Sequence, residues 1–262
     1  ICGELLRRFA FEAGLPPDQK VLEELEGDRL FAEAIEQALE GQLERIRVLN
    51  AVVHRLQLKE ERTGSTDWRF VVREIASQAR ENNLAPEALI ADGAASAESL
   101  LAYFPAPVSR GLDTELSECI ESALRGLATT TDTTAVTQKY IAMMRSAQAG
   151  LRAGRLSWPE WIKLARDKPG AKSIAVTDAV RKIAADYERH PQLRADISQF
   201  CHEVFAVAAD ALATYQAMKA ARGLLDFVDQ EQRLYQLLDH PAVAETVAAE
   251  MQLLMVDEFQ DT

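Results

Sequence analysis

Between Leu30 and Leu56 the apolar residues Leu30, Ile35, Leu39, Leu43, Ile46, Leu49, Val53 and Leu56 recur mostly at three- and four-residue steps. That spacing lines up one face of an α-helix and not one face of a strand, where side chains alternate. It predicts one long helix. The same periodicity returns along most of the chain. Thr66-Asp67-Trp68 opens a helix over residues 68–83, and further helices fit 114–127, 137–151 and 176–189 before His190-Pro191 breaks the pattern. Residues 197–223 form the longest amphipathic stretch, with Gly223 placed as a C-cap. LAPEALIADGAASAESLLAYF reads as two short helices broken at Ala91-Asp92-Gly93 and stopped by Pro105 and Pro107, and ATTTDTTAV as a loop or cap. One segment departs from the rule. QLLMVDE, residues 252–258, is a short apolar run bounded by charge, as a buried parallel strand would be. The fold class is mainly α, with something α/β at the C-terminus.

Function classes are narrowed by charge and cysteine. With 29 Lys+Arg against 41 Asp+Glu, a net of -12, the chain as a whole cannot coat phosphates by electrostatics, so any nucleic-acid contact needs a local basic stripe. Cys2, Cys119 and Cys201 are distant and odd in number, which fits a reducing cytoplasm and neither a disulfide framework nor a zinc ribbon. Adjacent Cys201 and His202 read as a helical core pair. No apolar run approaches the roughly 20 residues that cross a bilayer, so no membrane is expected as a partner. The start carries no signal-peptide pattern and no Met, and both ends read as cut ends of a longer protein.

Chemistry concentrates in LLMVDEFQDT, the last ten residues. Nucleotide hydrolysis needs one carboxylate to hold Mg²⁺ and another to orient and deprotonate the attacking water. Adjacent acids at the C-terminal end of a rigid strand can do both. On that reading Asp257 holds the magnesium ion through water and Glu258 is the general base. The bland alternative is a strand emerging into a solvated acidic loop.

The six residues Asp257, Glu258, Phe259, Gln260, Asp261 and Thr262, following an apolar run, resemble the Walker B segment of the UvrD/RecB/AddA family of superfamily-one DNA helicases. The resemblance implies that Gln260 couples the hydrolysis site to other helicase motifs. Two further stretches are similar to the family in the right order. In ARGLLDFVDQEQRLYQLL, Asp226, Phe227 and Asp229 match an Asp-Phe-x-Asp-Leu motif, with Gln230 where the family has Leu. At the start, ICGELLRRFAFEAGLPP resembles the RecB/AddA stretch near the DNA track, which leans towards an AddA-type helicase–nuclease subunit of double-strand-break repair and recombination.

What the resemblance implies is a RecA-like, P-loop motor domain interrupted by a helical insertion. Residues 1–24 and 216–262 would be small α/β remnants of the motor, and residues 25–215 the helical inserted subdomain. ATP and Mg²⁺ are the implied cofactors. DNA and a second subunit, as in an AddAB- or RecBCD-like complex, are the implied partners. The sequence holds no G-x-x-x-x-G-K-[ST] phosphate loop, so the fragment alone is expected to be inactive.

A candidate DNA surface lies in RAGRLSWPEWIKLARDKPGAK, residues 152–172, where six bases and two acids surround two tryptophans. Arg152, Arg155, Lys163, Arg166 and Lys168 are candidate phosphate contacts, and Trp158 and Trp161 offer stacking faces. The alternative is that the tryptophans are core and the bases a solvated edge. Arg7 and Arg8 lie on a helix that in the family runs close to the DNA. His54, His190 and His240 read as surface or cap residues. A different class of function remains open on the residues alone: a non-enzymatic helical module whose acidic surface binds a protein.

Overall fold

The computed structural model describes residues 1–16, 20–58, 64, 67–253 and 255. In chain order the elements are α1 (Cys2–Arg8), β1 (Lys20–Val21), α2 (Glu24–Ala38), α3 (Leu43–Leu56), α4 (Arg69–Glu81), α5 (Ala88–Leu101), α6 (Leu112–Ala128), α7 (Ala135–Arg152), α8 (Trp158–Arg166), α9 (Ile174–Ala185), α10 (Pro191–Arg222), β2 (Leu224–Leu225), α11 (Phe227–Leu238) and α12 (Pro241–Glu250). The mainly helical class is as expected. The chain divides into two units: residues 1–38, 76–86 and 210–262 form one, and residues 39–75 and 87–209 the other.

The single helix expected from Leu30 to Leu56 is two helices. Residues 39–42 turn between α2 and α3, and Gly41 takes φ +75°, a left-handed conformation that costs a Cβ-bearing residue far more than glycine. The apolar spacing carries no information on this break, because the stripe on α2 and the stripe on α3 belong to different units.

The opposite correction applies to residues 84–104. α5 runs unbroken through Ala91-Asp92-Gly93. Gly93 is there for closeness: a Cβ would stand 2.8 Å from Phe205 Cβ and 3.3 Å from the Cys201 carbonyl oxygen on α10. A residue that reads locally as a breaker is a contact point of two helices.

In the second unit α6, α7, α8 and α9 enclose a core that includes Leu116, Ile120, Met144, Trp161, Leu164 and Val180. α8 starts cleanly because Ser157 and Glu160 make a reciprocal capping box, with Pro159 in the first turn. The Tyr140 hydroxyl donates to the Leu164 carbonyl at 2.9 Å, and burial pushes the phenol up to about 12. On α10, Cys201 is half-buried while His202 is exposed, so the two are not a core pair.

Two buried carboxylates organise the polar interior of this unit. Asp196 receives two hydrogen bonds from the Arg55 guanidinium, at 2.8 and 2.6 Å, one from Trp158 Nε1 at 2.9 Å and one from Gln192 Nε2 at 2.8 Å. Asp132, in the TTTDTT loop, accepts from Ser173 Oγ at 2.7 Å, from the hydroxyls of Thr134 and Thr137 at 2.8 Å each, and from the Thr134 amide at 3.2 Å. Hydrogen bonds from Ser173, Thr134 and Thr137, in that order, hold its carboxyl down at about 2, against an ordinary 3.8. A folded-state value below the unfolded one stabilises above the unfolded pKa and is lost as pH falls through the folded pKa. This unit should therefore lose stability between about pH 4 and pH 2. Acid titration followed by circular dichroism should show that loss, and Asp132→Asn should flatten it.

The first unit joins early and late segments of the described residues. β1 and β2 pair in parallel, Lys20 opposite Leu224 and Val21 opposite Leu225, with the Leu22 amide donating to the Leu225 carbonyl at 2.8 Å. α1 packs on α11 and α11 on α12, around Leu6, Leu237 and Val243. A second small cluster joins Leu22, Leu30, Ala34 and Tyr215.

Candidate functional site

The acids proposed for hydrolysis, Asp257 and Glu258, and Gln260 with them, lie outside the described residues. Of the strand expected over 252–258, residues Gln252, Leu253 and Met255 are described, and they belong to no strand.

The upstream motif is fully described. Asp226 and Asp229 form a capping box at the start of α11: Asp226 Oδ1 accepts from the Asp229 amide and Asp229 Oδ2 accepts from the Asp226 amide, both at 3.0 Å. Phe227 stands between the two acids and is 56% exposed. Gln230, in the place of the family's Leu, is buried and packs where Gly3 has no Cβ: one there would be 2.7 Å from Gln230 Oε1.

Three residues that sequence reasoning missed complete this site. Lys219, only 3% exposed, donates to Asp226 Oδ2 at 2.8 Å and to Asp229 Oδ2 at 2.5 Å. The Tyr215 hydroxyl donates to Asp226 Oδ2 at 2.9 Å, and Arg80 Nη2 lies 2.5 Å from the same oxygen. Both cations also stand over the Tyr215 ring, Lys219 Nζ at 4.4 Å and Arg80 Cζ at 5.1 Å from its centre. Burial alone would raise the Asp226 carboxyl. The Lys219 hydrogen bond, the Asp229 amide and the charges of Lys219 and Arg80 outweigh it, and the group sits below its ordinary value. Burial first, then the Asp226 charge, pushes the Tyr215 phenol up. A signal for Lys219 existed. The buried stripe of α10, through Val204, Ala208, Ala211 and Tyr215, continues at helical spacing to Lys219.

Among the other candidates, Arg152, Arg155, Lys163, Arg166 and Lys168 are all exposed. Arg152, Arg155, Lys163 and Lys168 have no carboxylate at ion-pair distance among the described residues, leaving their charge free. Trp158 and Trp161 are different. Both are buried, their ring centres 6.1 Å apart, and His190 packs edge-on against each at 5.0 and 5.3 Å. They belong to the core and offer no open stacking face, because α8 turns its apolar side inward. His190 is buried as well, not at the surface; its Nδ1 accepts from the Gln192 amide at 3.0 Å and so caps the start of α10. His54 is exposed and His240 is the N-cap of α12. On α1, Arg7 is exposed, whereas Arg8 is engaged by both oxygens of Glu250 at 2.6 Å.

No group of three or more His, Cys, Asp or Glu residues poised to hold a metal occurs among the described residues. Among them no helix is long and apolar enough to cross a membrane. Residues 1–262 match the family described as the UvrD/REP helicase N-terminal domain. The chain belongs to that family of DNA helicases. No curated protein matches it.

Proposed function

We propose that this chain is part of an ATP-dependent DNA helicase motor of AddA or RecB type, acting in double-strand-break repair and recombination beside a second subunit. The observation that carries the reading is the family match along all 262 residues, with DEFQDT at 257–262. The AddA leaning rests on the LLRRF, EAG and PP elements of the first 17 residues. Adjacent carboxylates suit Mg²⁺, a hard cation that takes oxygen ligands. Asp257 would hold it through water beside the ATP phosphates, and Glu258 would take the proton of the attacking water. Gln260 would couple that site to the rest of the motor. Residues 25–215 would be the helical insertion and the segments on either side the motor. Without a phosphate loop these 262 residues neither hydrolyse ATP nor unwind DNA by themselves.

In this reading the DNA contact falls to the exposed bases of residues 152–172, and Arg7 adds to it. The chain is acidic overall, so a contact by these bases should be strongly salt-dependent. Binding to labelled duplex DNA, followed by anisotropy across a salt series, tests this. Lys163→Gln with Lys168→Gln should weaken binding and lower the slope of log K against log salt by about 1 for each lost phosphate contact. An unchanged slope would leave the segment a solvated edge of the core.

A further inference from the structure

We propose that the Asp226 carboxylate is a junction fastening the C-terminal ends of α4 and α10 to β2 and α11, with Lys219, Arg80 and Tyr215 as its positioning residues. This stands independently of the helicase reading. A helix cap needs one acceptor, and Asp226 Oδ1 supplies it to the Asp229 amide. The other oxygen is not needed for the cap, yet it meets three groups from two other helices: Tyr215 and Lys219 on α10, and Arg80 in the last turn of α4. A second tie joins the same elements, since Gln232 Nε2 on α11 donates to the Arg80 carbonyl at 2.7 Å.

The position of Asp226 in the chain makes the junction consequential. It directly follows β2, which pairs with β1, and it is the N-cap of α11. Both α4 and α10 begin among residues of the other unit, at Arg69 and Pro191. A shift in the end of either helix would therefore be felt at the sheet and at the start of α11. Asp226 and Asp229, with their carboxylates occupied in this way, are not held ready for a ligand. Phe227 is the member of the motif that faces out.

Hydrogen exchange of the 262-residue chain, read peptide by peptide, separates a junction from a local cap. Asp226→Asn keeps an acceptor that caps about as well as Asp, and removes the charge that Lys219 and Arg80 meet. Amides in three separate stretches, 78–82, 216–222 and 227–230, should then exchange about tenfold faster together, while those of α12 stay unchanged. Faster exchange confined to 227–230, or none, would overturn the proposal. Should Asp226→Asn fail to fold, Tyr215→Phe removes a single donor. It should loosen the same three stretches to a smaller extent, and a change in only one of them would count against the junction.

Discussion

Asp196→Ala is expected to destabilise the unit formed by residues 39–75 and 87–209 by about 3–5 kcal/mol, the cost of breaking a buried charge pair by removing one partner. Asp196 is 0% exposed and receives four hydrogen bonds, two of them from Arg55. Alanine would leave the partly buried Arg55 guanidinium without its carboxylate and the Trp158 indole N–H without an acceptor. Each deserted donor adds to the loss of the pair itself. Three of these bonds tie α3 and α8 to α10, so the damage would not stay local. Asp196→Asn retains an acceptor for Trp158 and should cost clearly less. Urea unfolding monitored by tryptophan fluorescence gives the comparison, and equal stability of Asp196→Ala and wild type would show that the cluster contributes nothing net.

The second large effect belongs to Lys219→Met, which should destabilise the other unit by about 3–5 kcal/mol at neutral pH. Methionine fills the space but leaves Asp226 and Asp229 with Arg80 as the nearest cation to compensate two adjacent carboxylates. The effect carries a pH signature. In the native chain the partners hold the Asp226 carboxyl below its ordinary value, so its contribution is full above the usual carboxylate range and fades as pH falls through the depressed value. In Lys219→Met burial is opposed by fewer charges, so the Asp226 carboxyl rises and takes up its proton at a higher pH than in the native chain. The penalty of Lys219→Met should therefore be smaller at pH 4 than at pH 7. A penalty that is the same at both would mean that Lys219 acts through packing alone.

How much of this could be read beforehand differs from element to element. Helices α6 and α7 follow from apolar spacing, since each presents one continuous stripe to one core, and α10 follows from it although its two ends serve different units. The break after Ala38 and the continuity through Gly93 do not, because both are decided by tertiary surroundings: the ends of two stripes that serve different units, and the approach of Phe205. β1 and β2 escape notice for a related reason. Two residues each are too few for a pattern, and their pairing joins segments at opposite ends of the chain. The Asp226–Asp229 motif is legible in the sequence, but Arg80 and Tyr215 as its partners are not. Lys219 looks like an ordinary solvated lysine until the stripe of α10 is seen to run on to it. The two tryptophans show the converse, since bases around aromatics suggest stacking while the fold buries the rings and leaves only the bases outside. Asp257, Glu258 and Gln260 are legible as a motif and as nothing more.

ATP turnover by the motor that contains this chain together with a phosphate loop tests the central claim most directly, with Glu258→Gln as the single change. If Glu258 accepts the proton of the attacking water, kcat should fall by about 10²–10⁴-fold while ATP binding persists, because the amide keeps the shape of the site and loses only the base. Turnover that survives the substitution unchanged would contradict the assignment of the 257–262 segment to hydrolysis.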